Sequence, residues 1–168
     1  MRITFIQPAI GHRVGEPYIK SWQMEPLSIA TLSGLTPSTI ERDFFDDRIE
    51  KINFDIPTDL AVITVETYTA KRAYQIASEY RRRKVPVVMG GFHVTLAPNE
   101  ASRYAETIVT GEAEEIWPQV VDDAQAGQLK AKYEGVRTCL SKMRVNRSIL
   151  SGKRYLPIGL IETGRGCK

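Results

Sequence analysis

Apolar residues follow two rhythms along the chain. Short runs at Arg2–Gln7, Asp59–Thr67, Val85–Met89 and Glu106–Thr110 have strand length, and Thr39–Asp46 alternates roughly, as a strand near a sheet edge does. Between them, apolar residues recur at helical spacing. Glu25-Pro26-Leu27 opens a short helix with Leu27, Ile29, Ala30 and Leu32 on one face, ended by Gly34 to Ser38; proline suits a first turn, where its missing N–H costs nothing. Ile49–Phe54 predicts a helical turn. Thr69–Arg83 is the strongest helix, with Ala73, Ile76, Ala77 and Tyr80 in phase, and Pro98–Tyr104 and Glu114–Ala126 follow, the last carrying Ile116, Trp117, Val120 and Val121. Strand then helix, five times over, predicts an α/β domain: a doubly wound, five-stranded parallel sheet with helices on both faces and right-handed crossovers.

The rhythm breaks near Gly127. Tyr133–Val136 reads as a short extension strand and Arg137–Leu156 as a polar linker. Tyr155–Cys167 resembles a new strand running into a glycine-rich turn. The expected organisation is a domain over 1–136, a linker over 137–156 and the start of a second domain over 157–168.

Composition narrows the classes. The 168 residues are 42% hydrophobic, enough for a core. The longest apolar runs, Leu60–Val65 and Val85–Met89, fall far short of the roughly 20 residues that span a bilayer, and Met1–Phe5 has no signal-peptide pattern, so a cytoplasmic protein without a membrane span is expected. A net charge of +3 does not argue for nucleic acid; Arg81-Arg82-Arg83-Lys84 closes a helix, where cations complement the dipole. Two cysteines, Cys139 and Cys167, make no disulfide framework.

Candidate chemistry gathers where the strands end, the edge at which parallel sheets bind ligands. Gln7 follows the first strand. Thr64, Thr67, Tyr68 and Thr69 surround Glu66 after the third, Gly90-Gly91-Phe92-His93-Val94-Thr95 follows the fourth, and Gly111-Glu112 the fifth. Without Cβ atoms, Gly90 and Gly91 let a bulky ligand approach bare backbone; the same pair also serves a tight turn with no ligand.

Gly90–Thr95, then Gly111-Glu112-Ala113-Glu114, then Glu162-Thr163-Gly164-Arg165-Gly166-Cys167 together resemble the cobalamin-binding radical SAM enzymes. The resemblance covers nearly the whole chain and implies a flavodoxin-like, Rossmann-like cobalamin (B12) domain preceding a radical SAM barrel in cis. Cys167 matches the first cysteine of the Cys-x3-Cys-x2-Cys loop; the other two would lie beyond Lys168, so a 4Fe-4S cluster and S-adenosylmethionine belong to a full-length parent only. An ordinary loop thiol is the alternative for Cys167. By the same resemblance, the nucleotide tail of cobalamin threads beside the central strands, between Thr64–Thr69 and Gly90-Gly91, with Gln7, Glu66, Tyr68, His93, Thr95, Gly111 and Glu112 around it; Thr64, Thr67 and Thr95 offer hydroxyls. Related methyl carriers use Asp-x-His-x-x-Gly, the histidine binding cobalt. Here Ile10-Gly11-His12-Arg13-Val14-Gly15 lacks the aspartate, leaving His12 as cobalt ligand or exposed loop histidine. His93 lines the tail slot or the corrin edge, or caps a turn.

The implied function is to hold methylcobalamin base-off for methyl transfer to a substrate carbon radical, the fragment itself binding without turnover. Two alternatives stay open. One is a cyclase of the same architecture, resembling the anaerobic Mg-protoporphyrin monomethyl ester cyclase; the other is a flavodoxin-like nucleotide, flavin or sensor module. No Gly-x-Gly-x-x-Gly or P-loop lysine pattern supports a nucleotide, and two histidines outside any nucleophile elbow disfavour a hydrolase.

Overall fold

The computed structural model describes residues 1–11, 23–139 and 143–165. Strands β1 (Arg2–Gln7), β2 (Glu41–Asp46), β3 (Leu60–Thr64), β4 (Val87–Gly90), β5 (Thr107–Thr110) and β6 (Lys132–Glu134) form one parallel sheet in the order β2-β1-β3-β4-β5-β6. The first five strands have the flavodoxin-like order 2-1-3-4-5. The sheet has six strands, not the expected five. The sixth is the extension segment shifted by one residue: Lys132 and Glu134 are exposed while Tyr133 is buried, its hydroxyl donating to Asp123 at 2.6 Å. A three-residue run with one anchoring aromatic carries little periodicity of its own.

Helices α1 (Leu27–Leu35), α2 (Ala70–Arg82), α3 (Phe92–Leu96), α4 (Pro98–Ala101) and α5 (Trp117–Gln125) cover the sheet. On one face Ile6, Ala61, Ile63, Val87, Met89 and Ile108 pack against Ala73, Ile76, Ala77 and Tyr80 of α2 and against Val94 and Ala101. On the other Ile3, Phe5, Val62, Val88 and Val109 meet Ile29 and Ala30 of α1 and Trp117, Val120 and Val121 of α5. The alternation along β3 and β4 is the two-residue period of a strand buried on both sides.

One connection departs from the expected hand. The path β3 to β4 to β5 to β6 moves steadily in one direction, yet α2 to α4 lie on one face and α5 on the other, beside α1. The β5–α5–β6 crossover therefore has the hand opposite to the other crossovers, against the strong general preference. This puts α5 next to α1.

Three local expectations change. Ile49–Phe54 forms turns and no helix. Gly34 lies inside α1 instead of ending it; a Cβ there would sit 2.2 Å from the Arg144 carbonyl oxygen, so the glycine admits a backbone contact. Residues 155–165 form no strand; their backbone has no neighbouring strand to pair with among the described residues. Residues 143–156 lie against α1 and the β2 edge. The Asn146 amide donates to the Ala30 carbonyl at 2.8 Å, a 3-10 turn at Arg147–Leu150 buries Leu150, and the Tyr155 hydroxyl donates to Asp46 at 2.8 Å.

Candidate functional site

Between α1 and α5, above β3, β4 and β5, lies a cavity of about 970 Å³ opening at the carboxyl ends of the strands. Its floor is apolar: Val62, Val88 and Val109 from the three central strands. Its walls are Leu27, Ser28, Thr31 and Leu32 of α1 and Trp117 of α5. Trp117 is held by its indole N–H, which donates to the Thr36 hydroxyl at 2.9 Å, and by a tilted contact with Phe5.

The sequence candidates divide around this cavity. Thr64, Glu66, Gly90, Gly91, Thr95, Gly111 and Glu112 line it; Gln7, Thr67, Tyr68 and His93 do not. Gln7 is buried and accepts from the Thr64 hydroxyl at 2.9 Å, so it orients a lining residue from behind. Thr67 and Tyr68 lie exposed on a 3-10 turn above β3. His93 lies on the opposite face of the sheet, buried, with its Nε2 3.0 Å from the Tyr74 hydroxyl of α2. It neither lines the slot nor caps the turn with its side chain; its backbone N–H donates to the Val65 carbonyl at 3.0 Å. His12 and Cys167 lie outside the described residues.

The two glycines have different jobs. Gly91 has φ +112°, and a Cβ on it would stand 2.8 Å from the Val65 carbonyl oxygen, so the turn itself requires glycine. A Cβ on Gly90 would meet Val109 at an ordinary 3.6 Å. Nothing in the protein demands glycine at Gly90. Its bare backbone opens onto the cavity, where only an occupant would feel a side chain.

The hydroxyls are largely committed. Thr95 donates to the Gly91 carbonyl at 3.2 Å and accepts from the Gly111 amide at 3.0 Å, tying two strand-end turns together. Thr31 donates back to Leu27 at 2.9 Å. Each keeps accepting capacity toward the cavity.

Glu66, Glu112, Glu114 and Glu162 line the mouth with one cation among the described residues, Arg165. Burial pushes the Glu66 carboxyl up. Glu112 is held below the usual carboxylate range by the Thr138 amide, which donates to it at 2.7 Å, and by Arg165 at 3.1 Å. Arg165 also reaches Glu114 and Glu162 at 2.5 Å each, and these carboxylates raise its already high pKa. Among the described residues no group of three His, Cys, Asp or Glu side chains is placed to hold a metal ion, and no helix is long and apolar enough to cross a membrane.

Leu27, Leu32 and Trp117 were not expected at the site, because in a hydropathy pattern a residue facing a hole looks like one facing a core. Glu114 stood inside the quoted Gly111–Glu114 motif, but nothing in the motif says what its carboxylate meets.

The chain matches no family model and no solved structure. It is 38% identical over 153 residues, 84% of this chain and 33% of the relative, to bacteriochlorophyllide d C-8(2)-methyltransferase of Chlorobaculum tepidum. It is 30% identical over 111 residues, 65% of this chain and 24% of the relative, to bacteriochlorophyllide d C-12(1)-methyltransferase of the same organism. The chain thus spans a third or less of these curated relatives, and the part it is similar to belongs in both cases to a methyltransferase.

Proposed function

We propose that residues 1–136 are the cobalamin-binding domain of a cobalamin-dependent radical SAM methyltransferase, followed by a linker at 137–156 and, from 157, the beginning of the radical SAM domain. The observation that carries the reading is the apolar cavity at the strand ends, floored by Val62, Val88 and Val109, bordered by bare backbone at Gly90 and walled by α1 and α5. A slot of this size and lining suits the uncharged benzimidazole end of a cobalamin nucleotide tail, drawn away from the metal. The names of the two relatives favour methyl transfer over cyclisation and point to a tetrapyrrole as the substrate class. On this reading Cys167 would supply the first thiolate of a 4Fe-4S site able to bind S-adenosylmethionine.

When bound, cobalamin supplies a methyl group carried on cobalt. The chain's own residues hold and shield it. Val62, Val88, Val109, Leu32 and Trp117 would exclude water from the tail, Gly90 would leave room for it, and Thr64 and Thr95 would offer hydroxyl oxygens as acceptors. No described histidine side chain enters the cavity, so the reading assigns no lower cobalt ligand among the described residues.

The flavin or nucleotide alternative fares worse on charge. Among the described residues four carboxylates and one arginine line the mouth and no lysine does, which disfavours a doubly charged phosphate monoester more than the single charge of a phosphodiester.

The test is retention of hydroxocobalamin by the purified chain through gel filtration, read as a corrin band in the protein peak, beside a Gly90→Val variant. Retention by the wild type and at least tenfold weaker retention by the folded variant support the proposal. Equal retention by both removes the cavity from the binding site, and no retention by either counts against cobalamin.

A further inference from the structure

Residues 160–165 line the mouth of the cavity although they form neither helix nor strand. They cross from one wall to the other and are pinned at both ends. At the α1 side, the Leu160 amide donates to Glu25 at 3.3 Å, Arg147 donates to the same Glu25 carboxylate at 2.8 Å, and Arg147 also holds the Leu160 carbonyl. At the α5 side, Arg165 is gripped by Glu112 and Glu114 from the β5–α5 turn and by Glu162 of its own segment, while its carbonyl accepts from Arg137 at 3.1 Å. Between the pins the segment is loosely held: Ile161 is 84% exposed, and Thr163 and Gly164 are exposed. A stretch fastened only at its ends, over an apolar cavity, is a strap.

We propose that residues 160–165 form a strap across the cavity mouth, fastened by Arg165 to Glu112 and Glu114, and that ligand enters this cavity by unfastening that end. The Arg165 end is the one that opens. Its partners are side chains on a solvent-facing turn, whereas the Leu160 end is also braced through Arg147 on the 3-10 turn that buries Leu150 against α1. Three carboxylates converge on the Arg165 guanidinium, and the only other tie at this end among the described residues is the single bond from Arg137 to the Arg165 carbonyl, so the clasp depends chiefly on the Arg165 side chain. The β5–α5 turn thereby acts as a positioning element: it sets where the segment leading to Cys167 lies relative to the cavity. What fills the cavity rests on the reading above; the strap itself does not.

The experiment compares the 168-residue wild type with Glu112→Gln/Glu114→Gln and with Arg165→Gln. Amide hydrogen exchange is followed at 160–165, and stopped-flow association is measured with two probes, neutral Nile red and hydroxocobalamin. The strap predicts at least tenfold faster exchange at 160–165 in both variants with the protection of β1, β3 and β4 unchanged. It also predicts at least threefold faster entry of Nile red. Equal exchange in wild type and variants overturns the clasp, and faster exchange with unchanged Nile red entry overturns its role as a barrier. Faster Nile red entry with no hydroxocobalamin binding in any protein upholds the strap and rejects cobalamin as the occupant.

Discussion

The two faces of the sheet are covered in different ways. Beneath α2, α3 and α4 the face is packed: Ile63, Met89 and Ile108 share one buried cluster with Ile76, Ala77, Val94 and Tyr80. Beneath α1 and α5 the same three central strands offer smaller side chains, Val62, Val88 and Val109, and the two helices stand far enough apart to leave the cavity. The closed face is pressed down by one long amphipathic helix, whereas the open face is bridged by two helices of nine residues that meet only at their edges. Both faces keep a buried cluster and the vacancy lies on one of them, which is how a small sheet can keep a hole without losing its fold.

Core truncation tests this contrast most strongly. Ile76→Ala, on the closed face, is expected to cost about 3 kcal/mol in chemical denaturation, and Leu32→Ala, bordering the cavity, about 1 kcal/mol because its side chain already faces space on one side. Equal costs would mean that the two faces are packed alike. The glycine pair comes next. Gly91→Ala is expected to cost about 2 kcal/mol through its positive φ and its clash with Val65, whereas Gly90→Ala should stay within about 0.5 kcal/mol yet weaken corrin retention severalfold. His93→Gln should cost about 1 kcal/mol through the lost bond to Tyr74 and leave corrin retention within about twofold, since its side chain serves the closed face.

The sequence pattern located these regions unequally, for physical reasons. Arg2–Gln7 was placed to the residue and Thr69–Arg83 to within one at each end, because long runs of a single period leave one reading. Lys132–Glu134 is too short to show a period. The cavity opens at the strand ends, and the Gly90-Gly91 motif lies on it, yet the nearby His93 goes to the other face. α3 begins at Phe92, and each helical step turns the next side chain by about 100°, so His93 and Val94 point into the closed core while Phe92 and Thr95 face the cavity. A five-residue helix directly after a glycine turn leaves no trace from which that rotation can be read. The place of α5 was equally hidden, because crossover hand is not written in hydropathy.

The smallest expected effect is a pH response at the two ends of the strap. The bond from Arg147 holds Glu25 below the usual carboxylate range, and the Thr138 amide and Arg165 do the same for Glu112. A depressed pKa means that the stabilisation is present above the unfolded value of about 4.3 and is lost as pH falls through the folded value. Protection factors at 160–165 should therefore fall below about pH 4 while the sheet amides keep theirs. Loss of both together would show that the strap and the sheet are one cooperative unit.

The order of the elements along the chain has a consequence in time. A ribosome releases the closed face first: β1, β3, α2 and β4 are complete before α5 exists, and the residues that cross the cavity mouth follow α5 by more than thirty positions. While the chain is being made, the slot passes through an interval with its floor built and its cover unborn. A bulky guest that reached the nascent chain in that interval would meet no strap at the mouth.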